Sequence, residues 1–259
     1  MTTVLQLSDP HFGTERRLAM DALQTFCAAL RPDLLLVTGD ITQRARTAEF
    51  DAARAFLDRL AVPERLVLPG NHDIPLFDLV ERALHPYRRY ARAFGAALEG
   101  EYERDDLLVL SVNTTRRWRH RHGEVSPAQV ERVAQRLARA RSGQLRLVAV
   151  HQPVAVTEDG DVENLLRGHP LAVQRWAQAG ADAVVGGHIH LPYVLPLPGL
   201  ARTLWAVQAG TALSHRLRGG ISNSVNVIHA GPGARVERWD LDDASQSFRR
   251  VASTLLTAG

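Results

Sequence analysis

The chain has 259 residues, 45% of them hydrophobic, enough to bury a core and to exclude a disordered or fibrous protein. Its 31 basic residues are all arginine and face 28 acidic ones, a net charge of only +3. That balance suits a small anionic partner; nucleic acid is not expected, because a groove binder concentrates its arginines, and the one dense cluster is Arg116, Arg117, Arg119 and Arg121. The lone Cys27 excludes an internal disulfide and a cysteine-rich zinc site.

The length favours one large α/β domain spanning 1–259. The opening MTTVLQLSD lacks the basic head and apolar stretch of a signal peptide, and no run reaches the ~18 apolar residues of a membrane span, so a soluble cytoplasmic protein is expected. VLQLSD (4–9) reads as a short strand with a polar end. Residues 16–31 place Leu23, Phe26 and Leu30 at helical spacing, and Cys27 among them reads as a buried small hydrophobe. DLLLVTGD is a continuous apolar run of the buried-strand type. Phe50, Ala53, Leu57 and Leu60 mark a second helix, and RLVLPGNHD repeats the strand with a polar end. Residues 76–98 read as helix broken at Pro86, and 107–112 as a strand.

SPAQVERVAQRLARA (126–140) is an amphipathic helix with Ser126 as its cap, Pro127 in its first turn and Val130, Val133 and Leu137 on one face. LRLVAVH is a further strand, 152–170 a charged loop with room for a short helix, and LAVQRWAQAG a helix ended by Gly180. ADAVVGGHIH, LWAVQAG, SVNVIHA and ARVERWDL supply four more strands, while the tail from Asp242 has no clear period. Alternating strands and helices argue an α/β architecture, and the late strands argue a second sheet.

Polar groups recur where these strands end: Asp9 and His11, then Asp40, then Asn71, His72 and Asp73, then His151, then His188 and His190. Ligands in α/β sheets sit beyond the carboxyl ends of strands. Asp9 and His11, like His188 and His190, are two residues apart and can point the same way. Gly39, Gly70 and Gly187 lie beside these groups and suit tight turns or close backbone approach. Oxygen and imidazole donors without thiolate suit Mn, Zn or Fe ions. A two-metal site, with ions about 3.5–4 Å apart, usually needs a bridging carboxylate, for which Asp9, Asp40 and Asp73 are candidates.

The ordered set DPH, GD, GNHD, H and GHIH resembles the calcineurin-like metallophosphoesterases over Asp9 to His190. Length and the GEVSPAQVERV helix resemble most closely the small bacterial class III cyclic-nucleotide phosphodiesterase-like branch. The resemblance implies a four-layer α-β-β-α sandwich of two packed mixed sheets, with a dinuclear metal site at the strand ends. It implies that Asp9, His11, Asp40 and His190 hold one ion and Asp40, Asn71, His151 and His188 the other, with Asp40 as the bridge. His72 would stand unligated near the leaving group, oriented by Asp73, for which a cap on backbone N–H groups is the competing reading. Two departures from that branch are Gln152, where a second histidine is common, and Asn113, where an aspartate is common.

The chemistry expected from such a site is hydrolysis of a small anionic phosphodiester, a 3′,5′-cyclic nucleotide or a glycerophosphodiester, by a hydroxide bridging two divalent or trivalent ions, with His72 serving the leaving oxygen. Arg117, His120, His122 and His169 are candidate substrate contacts; a solvated basic loop is the competing reading of the first three. Competing enzyme readings are a nucleotide-lipid pyrophosphohydrolase of lipid A synthesis, whose best-known branch has arginine where His72 stands, and a DNA exonuclease, whose relatives carry long extra regions. A degenerate scaffold would have lost ligand positions, and none is lost here. Any exposed apolar patch is a candidate dimer surface.

Overall fold

The computed structural model describes residues 1–257. β1 (Thr3–Leu7), α1 (Arg17–Leu30), β2 (Leu34–Thr38), α2 (Thr47–Arg59) and β3 (Glu64–Leu68) form two consecutive strand-helix-strand units. The three strands run parallel, with Leu5 opposite Leu35 and Leu36 opposite Leu66. α3 (Leu79–Leu84) and α4 (Arg88–Phe94) then flank the break at Pro86. β4 (Glu101–Arg104) and β5 (Leu107–Ser111) open the second sheet, which α5 (Pro127–Leu137), β6 (Leu145–Ala149), α6 (His169–Gln178), β7 (Ala183–Gly186), β8 (Tyr193–Pro196) and β9 (Trp205–Gln208) complete. β10 (Ser224–His229), β11 (Arg235–Asp242) and β12 (Ser247–Leu255) return to the first sheet.

The sheets have six strands each, in the orders β12-β11-β10-β1-β2-β3 and β4-β5-β6-β7-β9-β8, and both are mixed. Their apolar runs alternate between two cores, which explains why the sequence shows no polar face. In β2, Leu34 and Leu36 enter the core between the sheets, while Leu35 and Val37 face α1 and α2. In β5, Leu107 and Val109 enter the same central core, while Leu108 and Leu110 join the cluster that holds α5 and α6. Three apolar layers thus separate helix, sheet, sheet and helix, the four-layer α-β-β-α sandwich. Ser126 caps α5 by accepting from the Gln129 N–H, and buried Trp176 on α6 donates to the Val130 carbonyl at 3.1 Å, joining the two helices. Cys27 is buried, as its apolar setting implied. No helix among the described residues is long and apolar enough to cross a membrane.

Candidate metal centre

The carboxyl ends of β1, β2, β3, β6 and β7 meet at one edge of the sandwich. The backbone there is unusual. Asp9, His11, Asp40, His188 and His190 all have positive φ, between 44° and 77°, and they make up five of the nine non-glycine residues so placed among the described residues. Asp and His tolerate this region better than most residues, yet each such position costs about 1–3 kcal/mol. Glycines make room beside them. A Cβ on Gly70 would collide with the Asp40 backbone nitrogen and carboxylate, and one on Gly187 with Ser8 and Asp9.

Three groups of ligand-type atoms result, each with its atoms within 4.8 Å of one another: Asp9, His11 and His190 form one, Asp40, His151 and His188 a second, and His11, Asp40 and His72 a third that overlaps both through His11 and Asp40. His190 Nε2 lies 3.3 Å from Asp9 Oδ1 and 3.0 Å from His11 Nε2. His151 Nε2 lies 3.2 Å from Asn71 Oδ1. Asp40 spans the first two groups: its Oδ2 is 3.7 Å from His11 Nε2 and its Oδ1 3.3 Å from His151 Nε2. His151 Nδ1 donates to the Thr38 carbonyl at 2.8 Å and His190 Nδ1 to the Arg216 carbonyl at 2.7 Å. These bonds keep both Nδ1 protons outward and turn both Nε2 atoms inward, the orientation a metal ligand needs.

The electrostatics fit a cation. Burial by itself would raise Asp9 and Asp40, but the imidazoles of His190 and His151 respectively outweigh it and hold both carboxyls well below their usual range. Conversely, burial opposes charge on His151, yet Asp40 pushes it up to about 9. Burial keeps His11 and His188 down at about 3, so both are neutral and ready to ligate. Buried Asp9 Oδ1 and His188 Nδ1 make no hydrogen bond at all. Such orphaned donor atoms, beside two carboxylates that recruit positive charge, are what a divalent-ion site looks like before the ion is added.

His72 lies in the 3₁₀ turn Asn71–Asp73 that follows β3. Its backbone N–H donates to Asp40 Oδ1 at 2.8 Å and its Nδ1 to the Gln43 carbonyl at 2.9 Å, leaving Nε2 exposed to the site. Asp73 was expected to orient this ring, and the structure corrects that expectation. Its carboxylate accepts from the N–H groups of Gly70, Ile41 and Thr42 and from the Thr42 hydroxyl, all at 2.8–3.0 Å. Asp73 therefore ties the β2 turn to the β3 turn, and the Gln43 carbonyl orients His72. Burial and Asp40 push the Asp73 carboxyl up to about 6, still leaving it ionised at neutral pH.

A cleft of about 670 Å³ opens over these groups, lined by Asp40, His72, His120, His188, Arg216 and Arg218 among others. The model of the calcineurin-like phosphoesterase family matches residues 2–192. The chain belongs to that family. A cAMP/cGMP dual specificity phosphodiesterase of Mycobacterium tuberculosis is 27% identical over 201 residues, 72% of this chain but only 61% of the relative's own length. A dimetal phosphatase from Danio rerio superposes with a TM-score of 0.69 at 14% identity, covering 99% of this chain and 98% of that one. A purple acid phosphatase from yellow lupin seeds gives 0.73 at 11% identity, covering 98% of this chain and 53% of that one. At these identities the solved structures show a shared fold.

For a calcineurin-like phosphoesterase, the residues around the ligands decide what enters. Of the four expected substrate contacts, only His120 lines the cleft, its ring 6.2 Å from that of His72. Backbone carbonyls capture the other three: Arg117 donates to Ala83, His122 to Glu163, and His169 to Leu166 at the start of α6. Arg116 and Arg119 turn to Glu124, so the basic cluster mostly braces its own loop. Gln152 accepts from the Thr114 hydroxyl at 2.6 Å and Asn113 from the Thr115 hydroxyl at 2.7 Å, so both departures are buried side chains bonded to the 114–115 segment.

Arg216 was not singled out in the sequence. Its Nη1 is 3.3 Å from His72 Nε2, 3.3 Å from His11 Nε2 and 3.4 Å from Gln43 Oε1. The other two cleft arginines are committed to carboxylates, Arg121 to Glu163 and Arg218 to Asp161 and Glu158. Among the described residues Arg216 has no carboxylate partner, so its charge is left facing the cleft.

Proposed function

We propose that this phosphoesterase is a two-metal phosphodiesterase acting on small anionic diesters, 3′,5′-cyclic nucleotides or glycerophosphodiesters. The observation that carries the reading is Asp40, whose two oxygens face two separate ligand groups at the floor of one cleft. Asp9, His11, Asp40 and His190 would hold one ion, and Asp40, Asn71, His151 and His188 the other. Mn, Fe or Zn suits this mixture of oxygen and imidazole donors. Bound there, two such ions supply the charge that lowers the pKa of water and neutralises phosphoryl oxygens.

The protein's own groups do the rest. The Gln43 carbonyl holds the Nδ1 proton of His72, so the ring's exchangeable position is Nε2, on the cleft side. From there it serves the leaving oxygen, a contribution of roughly 10²–10⁴-fold for a positioned acid. Arg216 reaches the same point, its Nη1 3.3 Å from His72 Nε2, and would supply a cation for a non-bridging phosphoryl oxygen. His120 shares the cleft with His72, their ring centroids 6.2 Å apart, and would contact the leaving alcohol. The diester preference is supported by the mycobacterial relative, a cAMP/cGMP phosphodiesterase.

The test is a hydrolysis panel with Mn²⁺-loaded protein: bis-p-nitrophenyl phosphate, the matching monoester, cyclic nucleotides, glycerophosphodiesters and a UDP-linked sugar lipid, each repeated with Asp40→Ala. Diester turnover lost in the variant is the expected result. Turnover of the monoester alone, or no metal-dependent turnover with metal verified in the protein, would overturn the proposal. Activity confined to the sugar lipid would place the protein with the pyrophosphohydrolases instead.

A further inference from the structure

α3 is built inside out. Its carboxylate, Glu81, is 5% exposed and turned inward, where Arg88 and Arg89 pair with it. Its large apolar side chains point outward: Leu79, Val80 and Leu84 are 70%, 71% and 65% exposed. Phe77, just before the helix, is 80% exposed, and Trp118 is 67% exposed. Trp118 belongs to the same surface, because Arg82 donates to the Arg119 carbonyl at 2.9 Å and Arg117 to the Ala83 carbonyl, pinning the 116–120 turn against α3. Single exposed apolar residues are ordinary, but five gathered on two touching segments mark a contact surface.

The unpaired charge around this surface has one sign. The Arg44 guanidinium sits 5.8 Å from the Phe77 ring centroid, and Arg82 and Arg117 are spent only on backbone carbonyls. None of the three forms an ion pair among the described residues. The acids nearby, Asp78, Glu81 and Glu124, are all paired to other arginines. A second copy of the chain is a poor match, since a twofold interface would bring this arginine rim against itself. An apolar centre with an unpaired cationic rim fits a lipid bilayer carrying negative headgroups.

We propose that the outer face of α3, with Phe77 and Trp118, seats on an anionic phospholipid surface. The apolar side chains enter the headgroup boundary, and Arg44, Arg82 and Arg117 meet the phosphates. Phe77 is five residues beyond His72, and Trp118 two before His120, so the seated face is built from the same two segments that carry these cleft residues. This docking needs no metal and stands apart from the proposed diesterase activity.

The experiment is co-sedimentation of the full chain with phosphatidylcholine vesicles, with and without phosphatidylglycerol, at low and physiological salt. Three arginines near the surface should favour the anionic vesicles by roughly a hundredfold at low salt, less as salt rises. Phe77→Ser/Val80→Ser/Trp118→Ser should remove binding to both vesicles, and Arg44→Gln/Arg117→Gln should remove most of the preference between them. Thermal melting checks the fold, and bis-p-nitrophenyl phosphate turnover should match the parent. No vesicle binding, or binding that neither variant alters, would overturn the proposal. So would a parent dimer in solution that the triple serine variant converts to a monomer, because the face would then join two copies. Absence of diester turnover in the parent would count against the proposed function and leave the vesicle result standing.

Discussion

Replacing Arg216 by methionine isolates one charge in the site. The two side chains have similar length, and the backbone carbonyl of residue 216, which accepts from His190 Nδ1 at 2.7 Å, is unchanged. The ligand group containing His190 should therefore survive. What disappears is the Nη1 cation 3.3 Å from His72 Nε2 and from His11 Nε2. A charge-assisted hydrogen bond is worth about 1.5–3 kcal/mol, so kcat/KM for a diester should fall about 10- to 150-fold. If Arg216 grips the phosphate equally in the ground and transition states, the loss lies in KM; if it answers charge that develops during reaction, kcat falls with kcat/KM. The assay is steady-state turnover of bis-p-nitrophenyl phosphate beside metal content per chain. Full metal content with unchanged kcat/KM would refute the role. Loss of metal would show that Arg216 supports the ligands rather than the substrate.

The neighbouring residues make distinct predictions. His72→Gln should cost roughly 10²–10⁴-fold in kcat with metal content intact; since His72 also lies within ligand distance of His11 and Asp40, loss of an ion would instead make it a ligand. Gly70→Ala forces a Cβ onto the Asp40 backbone and carboxylate, and a displacement near 1 Å there should lower turnover on the order of 100-fold and reduce metal stoichiometry; wild-type metal content and activity would show that the turn relaxes freely. Asp73→Ala strands three buried backbone N–H groups and the Thr42 hydroxyl, so it should cost about 3 kcal/mol and lower the melting temperature by about 10 °C. A melting temperature within a degree or two of the parent would contradict that bracing role.

The sequence announces the parts of this protein that obey a repeated rule. β1, β2, β5, β6 and β7 are apolar on both faces because each lies between two cores, and each run ends where a polar side chain is needed. β8 and β12 were hidden for opposite reasons. YVLP is four residues ending in proline, and it sits at a sheet edge where the missing N–H is harmless. β12 is an edge strand held by its antiparallel ladder to β11 and by Phe248 in the first core, while Arg249 and Arg250 reach Asp242 and Glu237, so its sequence needs no apolar period. Arg216 was illegible because SHRLRGG reads as a surface loop. Its value comes from two neighbours distant in sequence, His11 and His72, and from the fact that Arg218, two residues later, is consumed by Asp161. The basic cluster at 116–121 misled in the converse way, since Glu124 and Glu163 pair with Arg116, Arg119 and Arg121, and a carbonyl holds the Arg117 side chain away from the cleft.

The position of the ligand set also explains how five strained backbone positions persist. Asp9, His11, Asp40 and Asn71 follow strands of the first sheet, whereas His151, His188 and His190 follow strands of the second. Neither of the two proposed ion sites can form unless the two sheets are in register at this edge. Buried hydrogen bonds impose that register: Gln6 on β1 donates to the Gly186 carbonyl at 3.0 Å, the His188 N–H to Asp9 Oδ2 at 2.9 Å, and His151 Nδ1 to the Thr38 carbonyl at 2.8 Å. Each crosses from one sheet to the other beneath the cleft. Losing any one would leave a buried polar group without a partner, at about 1–3 kcal/mol, comparable to the strain of one left-handed residue. The strained turns are thus held by bonds made only in the assembled sandwich, so the donor atoms are positioned by the packing of the two sheets before any ion binds.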